Sequence, residues 1–317
     1  MTQGKKTPPN PLLAKLKAAT MDEAKAVEFL EERRWGANEY CPKCGSVAVY
    51  TMKDKTTGER NKDNRWRCRD CKKMYTVRTG TVFEESRLPL TIWCYAIWKA
   101  ASSKKGVSAL QISRECEISY KTALFLMHRI RHAMGIENGP GEKLSGTVEA
   151  DETYVGGKPR FKGVSKRGRG TKKTPVFGVV ERDGKARLKV MERVNTKTLS
   201  SAITEHVDLS ESRLVTDELV LYKPIGKAFS GGHETVNHSR REYARGDVHS
   251  NTIEGVFSLL KRGVYGTYHS ISKKHLHRYL DEFAFRYNTR KMNDAERASA
   301  AVDATVGKRL TYEQQVS

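Results

Sequence analysis

Two cysteine pairs, Cys41-Pro-Lys-Cys44 and Cys68-Arg-Asp-Cys71, constrain this chain more than any other feature. Four thiolates in paired C-x2-C spacing, with 23 residues between the pairs (45–67), are the donor set of a tetrahedral Zn²⁺ site. So short a segment buries too little apolar surface to fold unaided, and metal binding supplies the missing free energy. Gly45, directly after Cys44, suits the tight turn such a site needs. Cys94 and Cys116 stand outside the pattern. Zinc rather than a disulfide framework fits a reducing compartment. A structural zinc ribbon is expected over 36–80, preceded by a helical segment over 1–35 with a helix start at Thr20-Met-Asp-Glu23.

The charge points to the partner. Of 317 residues, 58 are Lys or Arg and 37 are Asp or Glu, a net charge of +21. An excess of that size is suited to neutralising phosphates, so double-stranded DNA leads. The ribbon loop carries Lys53, Lys55, Arg60, Lys62, Arg65 and Arg67 around Trp66 and reads as a DNA contact. No apolar run approaches the ~20 residues of a membrane span, and the first residues lack a secretory signal. A cytoplasmic, nucleoid-associated location and no membrane partner are expected.

Beyond the ribbon, 88–135 reads as helices, with a helix-turn-helix in which Ile118 plugs the turn and Ser119 caps the second helix. That helix is expected to expose Tyr120, Lys121, His128, Arg129 and Arg131 to a major groove. Gly135, Gly139, Pro140 and Gly141 mark a boundary. After it come strand patterns at 147–155, 175–181, 186–194 and 214–216, a helix over 198–206, and helices over 251–261 and 274–288. Strands followed by helices imply an α/β sheet domain over 145–292, leaving 293–317 as a tail.

Two acids lie at strand ends, Asp151 and Asp217, where α/β sheets place their ligand sites. A third, Glu254, opens a helix and precedes Lys261 by seven residues, so both share one helical face. Three carboxylates can hold two divalent ions about 4 Å apart for in-line displacement at phosphorus. Oxygen-only ligands favour Mg²⁺ or Mn²⁺. Glu149, Glu152 and Glu218 compete for these roles, and Asn251-Thr-Ile-Glu254 also matches a capping box.

In order and spacing, these motifs resemble the IS1595 (ISXO2-like) family of DDE insertion-sequence transposases. The ribbon cysteines carry the resemblance, with Ala150-Asp-Glu-Thr-Tyr-Val-Gly-Gly-Lys158, Val215-Thr-Asp-Glu218, Asn251-Thr-Ile-Glu-Gly-Val-Phe-Ser-Leu-Leu-Lys-Arg-Gly263 and Phe285-Arg-Tyr-Asn-Thr-Arg290. It covers roughly 25–292 and implies an RNase H-like mixed-sheet core. There Asp151, Asp217 and Glu254 hold magnesium, and Lys261 is the accompanying base. Some members replace the third acid by Asn; here Glu254 is present, so Asn251 and His249 are taken as supporting groups.

Between 158 and 173 the chain bears Lys158, Arg160, Lys162, Lys166, Arg167, Arg169, Lys172 and Lys173 without an acid, a basic arm suited to a phosphate backbone. The expected activity is Mg²⁺-dependent cleavage at element ends and strand transfer into target DNA by a homo-oligomer pairing two terminal inverted repeats. The rivals are a non-cleaving ribbon and helix-turn-helix regulator, and an RNase H-like nuclease that never joins strands.

Overall fold

In the computed structural model, residues 10–135, 143–156, 173–237 and 244–316 are described. The chain divides into two units: 1–134 with 292–317, and 135–291.

The first unit opens with two helices rather than one. Helix α1 (Pro11–Ala19) is capped by Asn10, whose Oδ1 accepts the N–H groups of Leu12 and Leu13, with proline in the first turn. Helix α2 (Glu23–Trp35) is capped by Asp22. Thr20, expected as a helix start, instead closes α1, its hydroxyl donating to the Lys17 carbonyl.

Strands β1 (Val49–Thr51), β2 (Trp66–Cys68) and β3 (Met74–Tyr75) form a small antiparallel sheet in that order. Gly45 sits at φ +76°, the left-handed turn a side chain would resist, with its N–H on the Cys41 carbonyl. Helix α2 is docked on this sheet: Trp66 Nε1 donates to Glu31 at 2.7 Å, and Trp35 packs edge-on to Trp66. Arg60 turns inward onto the same carboxylate, at 2.8 Å and 2.5 Å.

Helix α3 (Leu90–Ser102) has Pro89 at its N-cap, which has no side-chain donor or acceptor to offer. Glu23 of α2 takes that place, accepting from Leu90 and Thr91 N–H. Helices α4 (Ala109–Glu115) and α5 (Tyr120–Met134) are joined by the turn at 116–119. Ser108 caps α4 and Ser119 accepts from Thr122 N–H, while Ile118 is half-buried between them.

The second unit is built on strands β4 (Leu144–Val155), β5 (Thr174–Glu181) and β6 (Ala186–Val190), helix α6 (Thr196–His206), strand β7 (Val207–Asp217), helix α7 (Tyr222–Gly226) and strand β8 (His233–Val236). The sheet order is β6-β5-β4-β7-β8. β4, β5 and β6 pair antiparallel, whereas β7 runs parallel to β4 and β8 parallel to β7. This is the RNase H-like mixed sheet. The short strands β9 (Ala244–Arg245) and β10 (Val248–His249) form a hairpin leading into helix α8 (Asn251–Gly263), a π-helical turn (Val264–Tyr268), a 3-10 turn (Lys273–His275) and helix α9 (Leu276–Asn288).

Side-chain alternation sorts the two faces of the sheet. Val148, Ala150, Phe177, Val179 and Leu214 pack with α6 and α7. Val180 and Ala186 pack on the other face against Ile253, Val256 and Phe257 of α8. Gly178 permits this approach, because a Cβ there would stand 2.8 Å from the Phe257 ring and 2.9 Å from Ile253. Asn288, in the Arg-Tyr-Asn motif, binds the backbone of Ala186 through both Oδ1 and Nδ2, fixing the end of α9 to β6.

Residues 293–317 are not a tail. Helix α10 (Asp294–Asp303) carries a full capping box between Asn293 and Glu296 and packs on α1, α2, α3 and α5. It is followed by α11 (Tyr312–Val316). Its buried face of Ala295, Ala298, Ala301 and Val302 is small, which lets it sit close against α3.

Candidate active site and metal centre

In the ribbon, the four Sγ atoms of Cys41, Cys44, Cys68 and Cys71 all lie within 4.8 Å of one another. Burial opposes ionisation of Cys68, but the N–H groups of Cys71 and Asp70, together with the Cys44 and Cys71 thiols, outweigh it and pull the thiol down to about 7. At Cys44 the Ser46 N–H is outweighed by burial and the neighbouring cysteines, which push that thiol up to about 12. Four convergent thiols that already share hydrogen bonds fit a tetrahedral soft cation. Cys94 is buried away from them and pushed up to about 12 by that burial, a packed and unreactive thiol.

In the second unit, β4 and β7 run side by side with Glu149 opposite Val215 as their last registered pair. Asp151 and Asp217 each lie two residues beyond that pair and on one face. Asp217 ends β7, but Asp151, expected at a strand end, lies within β4, which continues to Val155 by pairing with β5 after its pairing with β7 has stopped. Asp151 is pushed up to about 8, first by burial, next by the charge of Asp217, then by Glu152, with Glu254 the weakest contributor. Asp217 also accepts the N–H of Leu219, which tightens the turn after β7. Among the described residues only the four cysteines bring three or more ligand atoms within 4.8 Å of one another. The mutual charge of the carboxylates around Asp151 is of the kind a hard, oxygen-seeking cation such as Mg²⁺ or Mn²⁺ would relieve.

Glu254, the acid expected third, lies on helix α8. Asn251, Glu254, Ser258, Lys261 and Arg262 are exposed on it, while Ile253, Val256, Phe257 and Leu260 are buried. Glu254 and Lys261 therefore share the solvent side. The capping box expected at Asn251 and Glu254 is not formed. Ser250 occupies the N-cap position without capping, and its hydroxyl donates to Glu254 Oε1 at 3.1 Å. Asn251 is the first helical residue and exposed. His249 faces inward, with Nδ1 3.4 Å from Glu149.

Of the competing acids, Glu152 points to the other face and accepts from the buried Tyr222 hydroxyl. Glu149 is fully buried and takes the amide protons of Thr252 and Ile253 at 2.8 Å and 3.0 Å, so it, and not Asn251, caps α8. Sequence reasoning weighed Glu149 only as a rival ligand. The signal available was a charged residue between Val148 and Ala150 in an apolar strand, which demands a partner.

The helix-turn-helix differs from expectation on its second helix. Tyr120 (54% exposed) and Lys121 face solvent. Arg131 (1% exposed) and His128 are buried on α5, which packs against α3, α4 and α10. Arg129 is half-buried, its guanidinium donating to the Val82 and Glu84 carbonyls at 3.1 Å and 2.9 Å. In the ribbon loop Lys53, Lys55, Lys62, Arg65 and Arg67 are exposed, whereas Trp66 and Arg60 are spent on Glu31. Of the basic arm, Lys173 is described and half-buried. Lys158, Arg160, Lys162, Lys166, Arg167, Arg169 and Lys172 lie outside the described residues.

Comparison with known proteins fits this arrangement. Residues 143–288 match the ISXO2-like transposase domain of the IS1595 family, and residues 21–74 match its transposase zinc-ribbon domain. A curated relative, the "uncharacterized protein in transposable element ISH50" of Halobacterium salinarum, is 30% identical over 278 residues, 84% of this chain and 91% of that one. The chain belongs to the IS1595 transposase family. The ribbon match of this family member begins within the α1–α2 connection and so takes in α2, in keeping with the Glu31–Trp66 contact. Among solved structures, a chain of a pre-cleavage Mos1 transpososome is 14% identical with a TM-score of 0.28, covering 96% of this chain and 100% of that one. A chain of the simian T-cell lymphotropic virus intasome in complex with the PP2A regulatory subunit B56 gamma also scores 0.28 at 14% identity, covering 58% and 66%. Likeness that loose bears on neither the site nor the function. Among the described residues, no helix is long and apolar enough to cross a membrane.

Proposed function

We propose that this chain is a DDE-type DNA transposase that cuts DNA at the ends of its element, frees a 3′-hydroxyl and joins it to target DNA. The observation that carries the reading is that Asp151 and Asp217 stand on one face just past the last β4–β7 pair, with Glu254 close enough to raise the Asp151 carboxyl. Asp151, Asp217 and Glu254 would hold Mg²⁺ or Mn²⁺. The ions, when bound, supply activation of the attacking oxygen and charge stabilisation for the leaving one.

The chain's own groups do the rest. Lys261, two turns along the exposed side of α8 from Glu254, grips a phosphate beside the scissile bond. The net charge of +21 draws the duplex in. Tyr120 and Lys121 at the start of α5, with the exposed ribbon lysines and arginines, contact the terminal inverted repeats, and Lys173 with the basic residues before it follows the backbone near Asp151. The four ribbon cysteines hold zinc and keep that module folded. Two copies would pair two ends.

The deciding assay is Mg²⁺-dependent cleavage and joining of DNA bearing the element's ends, for the wild type and Asp151→Asn. The variant should bind such DNA as wild type does and neither cut nor join it. Cleavage at the wild-type rate by Asp151→Asn refutes the assignment. Binding without cleavage by the wild type points to a regulator, and cleavage without joining points to a nuclease.

A further inference from the structure

Glu149 bears on the same site, and the role inferred for it rests on the metal-site reading of Asp151, Asp217 and Glu254. We infer that Glu149 is a positioning residue: it sets where the Glu254 helix stands against the Asp151 strand, and it holds no metal itself.

Both of its oxygens are already occupied. Oε2 accepts the N–H groups of Thr252 (2.8 Å) and Ile253 (3.0 Å). Oε1 accepts Thr252 Oγ1–H (2.8 Å) and Arg182 Nε–H (2.8 Å), with His249 Nδ1 at 3.4 Å. Its side chain is wholly buried, so a hydrated cation has neither a free lone pair nor a path to it.

What it joins explains its place. Glu149 lies two residues before Asp151 on β4, so both point to the face on which α8 packs. Its acceptor bonds land on the two residues directly before Glu254. The path from one proposed ligand to the other is therefore two residues of strand, one carboxylate and one peptide unit. The first turn of α8 exposes N–H groups that its own N-cap, Ser250, leaves unserved, since that hydroxyl is turned to Glu254. A carboxylate at a helix N-terminus is favoured by the helix dipole as well as by the bonds. Arg182 then extends the clamp to the preceding hairpin through the carbonyls of Asp247 (2.5 Å) and His249 (2.9 Å). Glu23, at the start of α3, likewise seats a helix with a carboxylate distant in sequence. At α8, unlike α3, the seated helix carries an acid of the proposed metal set.

The test is Glu149→Gln in the full-length, zinc-loaded chain. The amide matches the carboxylate in size but turns one acceptor into a donor that faces donors. Hydrogen exchange at the Thr252 and Ile253 amides, measured without Mg²⁺, should accelerate at least about tenfold. The midpoint for Mn²⁺ binding, read from the free-ion EPR signal in the absence of DNA, should rise about 10- to 100-fold, the range typical when a group supporting a metal ligand is lost. Cleavage should recover towards the wild-type maximum at saturating metal, placing the defect in metal affinity and not in turnover. A folded Glu149→Gln with the wild-type Mn²⁺ midpoint overturns the inference. Should that variant not fold, Thr252→Val removes the hydroxyl donor alone, and an unchanged midpoint there overturns it equally. Asp151→Asn in the same titration separates the two readings. If wild type binds no more Mn²⁺ than Asp151→Asn, the metal site itself fails; if wild type binds and Glu149→Gln binds alike, only the role of Glu149 fails.

Discussion

Replacing Asp151 by Asn should stabilise the protein while abolishing its chemistry, and the gain should depend on pH in a set way. Asp151 is buried beside Asp217 and its carboxyl is raised from 3.8 to about 8. A carboxyl raised on folding contributes stability that is fully present below its unfolded pKa and lost as pH rises through the folded one. Between pH 4 and pH 8 the metal-free wild type therefore loses stability that an uncharged, isosteric amide does not lose. The ceiling is about 6 kcal/mol, from roughly 1.4 kcal/mol per pH unit over that interval. Movement of the strand ends and entry of water reduce it to a few kcal/mol. For a unit of this size each kcal/mol moves the melting temperature roughly 2–4 °C. In zinc-replete, magnesium-free buffer, Asp151→Asn should melt close to wild type at pH 5 and at least roughly 5 °C higher at pH 8.5. Adding Mg²⁺ should raise the wild type more than the variant, because the ion compensates the charge cluster in the one and finds it weakened in the other. A variant that melts lower than wild type at pH 8.5, or whose advantage is the same at pH 5, would refute the electrostatic argument.

Three further outcomes are expected. Gly178→Ala should cost about 1–3 kcal/mol in denaturant unfolding, since its Cβ would stand 2.8 Å from the Phe257 ring and push α8 off the sheet. Cys68→Ser, or stripping of zinc, should shift tryptophan emission to longer wavelength as Trp35 and Trp66 lose their packing, and zinc should not restore the Ser variant. Lys121→Ala and Arg129→Ala should part company. The first should weaken DNA binding and lower its salt slope by about one, with little change in stability. The second should cost about 1–3 kcal/mol by equilibrium unfolding, because Arg129 holds the Val82 and Glu84 carbonyls.

Local chemistry was legible from the residues alone. Two C-x2-C pairs announce their cation because ligand type and spacing are covalent properties of a short segment. Ser119 at the start of α5, Gly45 in its left-handed turn, and the seven-residue spacing of Glu254 and Lys261 follow from turns and helical periods within a few residues. The parallel neighbour of β4 was not of that kind. β7 spans Val207–Asp217, far longer than its apolar run suggested, because pairing with β4 holds polar residues in the strand. The capping box read at Asn251 was a sound local pattern, but a buried carboxylate 103 residues away already served those amides. Arg131 and His128 carried a basic helical pattern that only packing against α3, α4 and α10 could show to be buried. Residues 293–317 looked like a tail because the small apolar face of α10 means nothing until α3 is there to receive it.

Sequence alone thus determined which atoms this protein offers: four thiols in paired spacing, the carboxylates and lysine on which the proposed phosphodiester chemistry rests, and a charge of +21. Tertiary structure alone decided which acid is taken up by a helix end and which faces other acids. Glu149 and Asp151 share one strand and one face, and they differ in what packs above them: the first meets the N–H groups of a helix, the second meets other carboxylates. Burial with a donor makes an acid a fastening, and burial with like charge raises its pKa and leaves it a charge that a cation would relieve.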